Sequence, residues 1–247
     1  MPDSFNPFSL SGKTILVTGA SSGIGRGIAI SCSMMGARVI INGRNTQKLS
    51  DTLSQMSGDG HEMVSGDLTD SEALESIVNT LPKLDGIVHS AGIGTRVLCK
   101  NIVEADIDQT ISTNFKAPVL LQTEILKKKK LNKGGSIVFI ASMSYDSPSV
   151  GNALYAASKG ALNSLAVTLA KELAPKVRVN CISPGTVETP MTQAFLATEA
   201  GETHQKGYPL GVGHCEDITN LVCFLLSDAS RWITGQNIII DGGRSTL

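Results

Sequence analysis

The sequence predicts an α/β fold: one doubly wound parallel sheet of about seven strands, with helices on both faces. Three observations carry this reading. Short β-rich apolar runs alternate with longer helical stretches from Thr14 to Ile240. A glycine-rich turn, Thr18-Gly19-Ala20-Ser21-Ser22-Gly23-Ile24-Gly25, separates the first run from the first helical stretch. No repeat of fixed period and no low-complexity linker interrupts the chain. Such alternation requires crossover helices between parallel strands, which cover the sheet on both sides. The 247 residues could fill one large domain or two small ones. Without a linker, the reading is one domain, 1–247.

In order, Thr14 to Val17 reads as the first strand and Gly23 to Met35 as the helix after it. Arg38 to Ile41 is the second strand, Thr46 to Met56 a helix, and Glu62 to Val64 a short third strand ending at Gly66-Asp67. Ser71 to Leu81 is helical, with Asp70 as its cap and Pro82 as its stop. Gly86 to His89 and Ser136 to Ala141 are strands on either side of a long helix, Asp106 to Leu131. A second long helix runs from Asn152 to Leu173 and closes at Pro175. Val177 to Ile182 is a strand, Asp217 to Leu226 a helix, and Asn237 to Ile240 the last strand. The segment 187–213 has no clear pattern and few apolar anchors. A loop of that length inside a compact domain is usually functional, so it is expected to be a lid over a substrate site.

Composition narrows the function. Hydrophobic residues make up 41% and charged residues 17%, a globular balance, and the net charge of −1 calls for no nucleic-acid partner. Met1 to Leu10 lacks a basic start followed by an apolar stretch, so no signal peptide is expected there. No apolar run approaches the roughly 20 residues of a membrane span. The five cysteines and four histidines are scattered, so neither a metal site nor a disulfide framework is expected. A cytoplasmic protein is the resulting expectation.

The glycine turn points to a nucleotide. Glycines between a strand and a helix permit a tight bend and close approach of backbone to a pyrophosphate, which then faces the free N–H groups of the helix start. The spacing is Gly-x3-Gly-x-Gly, which meets only half of the general dinucleotide fingerprint. Sites of this design recognise the adenosine ribose at the end of the second strand: a carboxylate suits NAD, an arginine the 2′-phosphate of NADP. No Asp or Glu occurs from Ala37 to Ser50, and Arg44 stands at that place, so NADP(H) is expected. Arg26 is a second candidate cation.

Tyr155 and Lys159 lie four residues apart, with Ser142 thirteen positions upstream. On a helix the phenol and ammonium share one face. A cation beside a tyrosine stabilises its phenolate, and lowering a pKa of 10 toward neutrality takes about 4 kcal/mol from the site. The product is an acid/base able to exchange a proton with a carbonyl oxygen. Alone, a tyrosine and a lysine at this spacing are as readily a surface pair.

Taken together, these motifs resemble the short-chain dehydrogenase/reductase family, in its branch of chains near this length. The likeness includes the Thr18-to-Gly25 turn, Asp67, Ala91-Gly92, Asn114, Ser142, Tyr155, Lys159, Pro184-Gly185, Thr189, Ile233-Thr234-Gly235-Gln236 and Asp241-Gly242-Gly243, all in order. The resemblance implies a Rossmann fold, with Tyr155 as acid/base, Ser142 orienting the substrate oxygen, Lys159 holding the nicotinamide ribose and Asn114 supporting a water next to the lysine. It also implies a cofactor site built from Gly19, Ser21, Ser22, Gly23, Ile24, Gly25, Arg44, Asp67, Leu68, Ser90, Ala91, Gly92, Tyr155, Lys159, Pro184, Gly185, Val187 and Thr189. Ile182 is expected beside the nicotinamide, and no metal is required. Ser90 departs from the family's usual asparagine, which puts the cofactor grip and the central strands in question.

The substrate is less legible. Lys127-Lys128-Lys129-Lys130 and Lys133 end the long helix, and Lys176 follows the next. Cations suit a helix C-terminus, so a solvated last turn is one reading. The other follows from the resemblance to the family's 3-oxoacyl-acyl-carrier-protein reductases, in which basic residues here receive an acidic carrier. Met143, Tyr145, Val150, Leu154, Met191, Phe195 and Leu196 suggest a moderately apolar pocket. The leading expectation is an NADP(H)-dependent carbonyl reductase acting on a 3-oxoacyl thioester. A sugar, polyol or steroid-like alcohol is the alternative, as is a non-catalytic NADP(H)-binding subunit. The resemblance also implies a homo-oligomer, a tetramer or else a dimer, paired through the two long helices.

Overall fold

The structure, a computed structural model, describes residues 6–246. The first five residues of the Met1–Leu10 segment and Leu247 lie outside the described residues. Seven strands, β1 (Thr14–Thr18), β2 (Arg38–Gly43), β3 (Glu62–Ser65), β4 (Leu84–His89), β5 (Leu131–Ile140), β6 (Val177–Pro184) and β7 (Asn237–Ile240), form one sheet in the order β3-β2-β1-β4-β5-β6-β7. Each neighbouring pair is parallel. The helices are α1 (Gly23–Met34), α2 (Thr46–Leu53), α3 (Ser71–Thr80), α4 (Glu104–Ile111), α5 (Ala117–Lys127), α6 (Ala153–Leu173), α7 (Gln193–Leu196), α8 (Glu199–Gln205) and α9 (Cys215–Leu226). The strand order reverses between β1 and β4, and a crevice at the carboxyl ends of strands forms at such a reversal.

Side chains alternate across the central strands, as a period of two demands. Ile15 and Val17 of β1 join Val39 and Ile41 of β2 beneath Ile28 of α1 and Ile218 and Val222 of α9. Leu16 and Ile40 point the other way, onto Leu74 and Ile77 of α3 and Leu121 and Ile125 of α5. On β5, Ile137 and Phe139 pack toward Leu162 and Ala166 of α6, while Val138 and Ile140 join the α1–α9 side. This is the doubly wound sheet that the alternation predicts.

Three segments depart from expectation by more than a small shift of their ends. β5 begins at Leu131, earlier than Ser136, because Lys129 takes a left-handed φ of 51° that ends the helix abruptly. Asn132-Lys133-Gly134-Gly135 has loop composition, yet it runs as strand: Asn132 Nδ2 donates to Asp85 Oδ1 at 2.8 Å, and the Gly134 N–H donates to the Lys176 carbonyl at 2.7 Å. The helix expected over Asp106–Leu131 is broken into α4 and α5 by a π-helical turn, Ser112–Lys116, which carries Asn114. The segment 187–213 is also more ordered than its sequence suggests. It holds α7 and α8, is closed by a bridge between Val187 and Gly213, and is anchored by the buried Tyr208, whose hydroxyl donates to Thr186 Oγ1 at 2.8 Å.

One buried group makes stability depend on pH. His89 stacks on Phe139 with ring centres 4.6 Å apart, and its Nε2 pairs with Gln122 Oε1 at 3.1 Å. Burial pushes the imidazole down to about 4, from an ordinary value near 6.5. Between those values the unfolded chain binds a proton that the folded chain does not, so stability must fall as pH drops through that window. The loss should reach roughly 3 kcal/mol at its lower end. Urea unfolding at a series of pH values should show this limb, and His89→Asn, which keeps a donor toward Gln122, should flatten it.

Candidate active site

A cleft of about 330 Å³ opens at the carboxyl ends of β1 to β6. Its floor is the glycine turn, and the close approaches there explain the residue types. A Cβ at Gly25 would collide with the Gly19 carbonyl, and one at Gly19 would stand 2.7 Å from the Ala91 Cα. Gly19 and Gly23 take φ values of 68° and 54°, where a side chain is strained. Ser22 caps α1 without a side-chain hydrogen bond, and no acidic residue occupies the first turn. The first N–H groups of α1 therefore face the cleft with the positive end of the helix dipole behind them, an arrangement that fits a diphosphate. All eighteen residues named above for the cofactor site line this one cleft, from Gly19 to Thr189. Asn42, Gly43 and Thr69, which sequence reading missed, line it as well. Ile182 is fully buried in the core behind it.

Ser90 causes no visible loss at the junction of β1 and β4. Thr18 Oγ1 accepts from the N–H groups of Ser90 and Ala91 at 3.1 and 3.2 Å, so backbone contacts, independent of the side chain at position 90, tie the two strand ends.

At the end of β2, the guanidinium of Arg44 is largely exposed and lies 3.5 Å from the Asp67 carboxylate. Hydrogen bonds from Thr69 chiefly hold that carboxyl below its ordinary range, and Arg44 contributes. The single loose partner leaves most guanidinium donors open to the cleft mouth. Arg26 differs from expectation. Its side chain donates to the Ser21 carbonyl at 2.7 Å and to Thr52 Oγ1 at 3.1 Å, so it buttresses the turn from behind and does not line the cleft.

Deeper in, four polar side chains from three segments converge, Asn114 of the π turn, Ser142 after β5, and Tyr155 and Lys159 of α6. Asn114 is fully buried in its π turn. Its amide accepts from Ile93 N at 2.8 Å and donates to Ile93 O at 3.0 Å and to Ser158 Oγ at 3.1 Å. Ser158 in turn donates to the Tyr155 carbonyl at 2.7 Å. Lys159 is also buried, and its Nζ donates to the Ile140 carbonyl at 2.8 Å. Burial brings its pKa down to about 8, which still leaves it mostly charged at neutral pH. The Nζ lies 5.8 Å from the centre of the Tyr155 ring. The phenol departs from the expected lowering. Burial raises it above its ordinary value, and the nearby Ser142 hydroxyl pulls it only partly back. Ser142 Oγ accepts from Ser144 N at 3.2 Å and donates to Ser144 Oγ at 3.1 Å.

A second pocket of about 340 Å³ shares Ser142 and Tyr155 with the first. Its lining corrects the expectation of a moderately apolar site. Met143, Met191 and Phe195 are there, but Tyr145, Val150, Leu154 and Leu196 are not. Arg96, His204, Tyr208 and Arg244 take their place. They come from three distant segments, so no local spacing could have brought them together. Among the described residues, no group of three or more His, Cys, Asp or Glu could hold a metal, and no helix is long and apolar enough to cross a membrane.

The same fold recurs in known proteins. Residues 19–245 match the family described as Enoyl-(Acyl carrier protein) reductase. The chain is 37% identical to the 3-oxoacyl-(acyl-carrier-protein) reductase of Rickettsia felis, over 95% of this chain and 97% of that one. Among solved structures, a short-chain dehydrogenase/reductase of Brucella melitensis described as a glucose/ribitol dehydrogenase has a TM-score of 0.90 at 32% identity, covering 97% of this chain and 99% of that one. A structure from Agrobacterium tumefaciens with bound NADP has a TM-score of 0.88 at 30% identity, covering 98% of this chain and 100% of that one. With identity at this level along nearly its whole length, the chain belongs to the short-chain dehydrogenase/reductase family.

Proposed function

We propose that this protein is an NADP(H)-dependent oxidoreductase that reduces the ketone of a 3-oxoacyl thioester to a secondary alcohol, with Tyr155 as the proton donor. One observation carries the reading: Ser142 and Tyr155 lie in the wall common to both clefts, with Gly185, Met191 and Thr192, where a carbonyl would meet a nicotinamide. The thioester is supported by the activity in the name of the Rickettsia felis relative. NADP(H) is supported by Arg44 and by the bound NADP of the Agrobacterium structure. The Brucella neighbour supports a polyol as the second substrate class.

Bound nicotinamide supplies the hydride. The chain supplies orientation and the proton. Burial that raises the phenol keeps Tyr155 protonated at neutral pH, the form a reductase needs as it meets the carbonyl oxygen. Ser142 donates a second hydrogen bond to that oxygen. Lys159, held under the site by Ile140, places a positive charge where the phenolate forms and a donor where the ribose lies. Asn114 fixes the loop after β4 and the start of α6 relative to one another. The segment 187–213 is the lid over the substrate.

The lysine patch needs a different geometry from the one its sequence suggests. Lys128 pairs with Glu75 at 3.1 Å, Lys130 donates to the Leu81 carbonyl, and Lys127 pairs with Glu124 at 2.8 Å. Lys129, Lys133 and Lys176 remain exposed at the amino ends of β5 and β6, opposite the cleft. At about 3.3 Å per residue along β5, that is roughly 30 Å from Ser142. A carrier docked there would serve the site of a second copy, if α5 and α6 pair antiparallel in a dimer or tetramer. We place that assembly in the cytoplasm.

Tyr155→Phe should lower kcat by about 10²–10⁴-fold while leaving NADPH affinity within about twofold. Near-normal turnover would sink the proton-donor role. Lys159→Met should also abolish turnover, yet raise the melting temperature of the cofactor-free protein at pH 7. There the folded chain no longer holds a buried charge, a gain on the order of 1–3 kcal/mol.

Titration with each reduced cofactor should show tighter binding of NADPH than of NADH. Arg44→Asp should level or reverse that preference by replacing attraction to the 2′-phosphate with repulsion. Equal affinities in the unmutated protein would remove the argument.

Charge reversal at Lys129, Lys133 and Lys176 should raise KM for a carrier-bound 3-oxoacyl group and spare the same group on a short thiol. The difference should fade with salt, since exposed charges are screened over about 10 Å at 0.1 M. Equal responses of the two substrates would leave only solvated lysines.

A further inference from the structure

The second pocket holds two arginines that the proposed mechanism does not use. Arg96 is exposed on the loop after β4, and its guanidinium lies 4.9 Å from the centre of the Phe195 ring. Arg244, near the end of the chain, lies 5.6 Å from the centre of Tyr208. Between them His204 meets Phe195 and Tyr208 edge-on, each at 5.3 Å. The result is a ladder of three rings with a cation at each end, running along one wall of the pocket. Two glycines make room for it. Gly207 lies so close to the Arg244 guanidinium that a Cβ there would collide with it, and a Cβ at Gly151 would press to 3.2 Å against Arg96 Cγ.

Among the described residues the charges are uncompensated. No Asp or Glu lines the pocket, and among the described residues no side-chain carboxylate lies within ion-pair distance of either guanidinium. Each guanidinium carries five donors. Arg244 spends one on the Gly207 carbonyl at 3.0 Å, and Arg96 spends none within the described chain. Burial first, then Arg244 and Arg96, hold the His204 imidazole below its ordinary value, and its Nε2 bonds Thr186 Oγ1 at 2.8 Å. A pocket meant only for a neutral acyl chain would have no use for two unpaired cations beside its acid.

We infer that Arg96 and Arg244 form an anion subsite, so that the substrate carries an oxyanion, a carboxylate or a phosphate, on the side of its carbonyl that faces α7 and α8. The assignment rests on the reading that Tyr155 protonates that carbonyl. In an acyl thioester the oxyanion would be a carboxylate on the acyl chain or a phosphate on the carrier's arm. Arginine suits both, because its planar fork matches either anion with paired donors.

The test uses two ketones that differ by one charge, 4-oxopentanoate and 4-oxopentanamide, with binding followed by ligand-observed NMR on the full chain, with and without NADP⁺. The acid should bind at least about tenfold more tightly, the scale of one charge-assisted contact, and Arg96→Gln and Arg244→Gln should each remove most of that preference. Affinity for NADPH, held in the other cleft, should stay unchanged in both variants. A preference for the acid that survives both substitutions overturns the inference, as does equal binding of acid and amide together with no arginine dependence in the coenzyme A thioester. Turnover separates it from the reading beneath it: charge-dependent binding without reduction of any ketone would sink the role of Tyr155 and leave the anion subsite standing. A 3-oxobutanoyl group carried on N-acetylcysteamine and on coenzyme A then tells the sources apart. Arginine dependence confined to the coenzyme A form assigns the subsite to the arm's phosphates. Dependence seen with the free carboxylate assigns it to the acyl chain.

Discussion

The site is organised around one costly placement, the ammonium of Lys159 inside the protein. A buried amine resists charging, and here burial has already brought it down to about 8. What keeps it charged at neutral pH is its setting. The Ile140 carbonyl at the end of β5 accepts a hydrogen bond from it, and Gly92 leaves space beside it, where a Cβ would stand 3.3 Å from Nζ and 3.2 Å from Asn114 Oδ1. The glycine, the π turn that presents Asn114 and the strand end are therefore parts of one enclosure. Each element of the fold near the site serves to hold that charge at a fixed height below the phenol.

The phenol's own environment sets a direction. Burial that raises Tyr155 favours the protonated form, and with it the donation step of reduction. Among the resting hydrogen bonds only the Ser142 hydroxyl favours the phenolate, and it offsets burial in part, while Lys159 donates to Ile140. Ser142 can turn from Ser144 to a substrate oxygen at little cost, because one hydroxyl contact replaces another.

Two pockets that meet at Tyr155 divide the recognition. The first is made of backbone: glycines, a bare helix start and strand ends, which suit a cofactor whose phosphates and rings are held by N–H groups and close packing. The second is lined by the loop after β4, the stretch from Ser142 to Tyr155, the segment from Gly185 to Tyr208 and Arg244 near the end of the chain. Backbone-built sites tolerate sequence change, while side-chain pockets are rewritten residue by residue. Under the proposed function, substrate choice lies with Arg96, His204, Tyr208 and Arg244.

The sequence by itself determined the fold class, the order of the strands and most of the residues that line the first cleft. These depend on local patterns: two-residue alternation in the strands, glycines at a strand-to-helix turn, and the four-residue spacing that stacks Tyr155 and Lys159 on one helix face. Only the tertiary structure decided the rest. Lys129 in a left-handed conformation turned a glycine-bearing polar stretch into the start of β5, because partners at Asp85 and Lys176 satisfied its backbone and side chains. Arg26 became a strut, since its reach to Ser21 and Thr52 depends on how α1 packs beside α2. The cationic pocket was invisible beforehand because Arg96, His204 and Arg244 are far apart in the chain. Local propensity carries no information about which distant side chains share a wall. The pKa of Tyr155 followed the same rule: spacing gave its neighbour, but burial, a property of the folded whole, gave the sign of its shift.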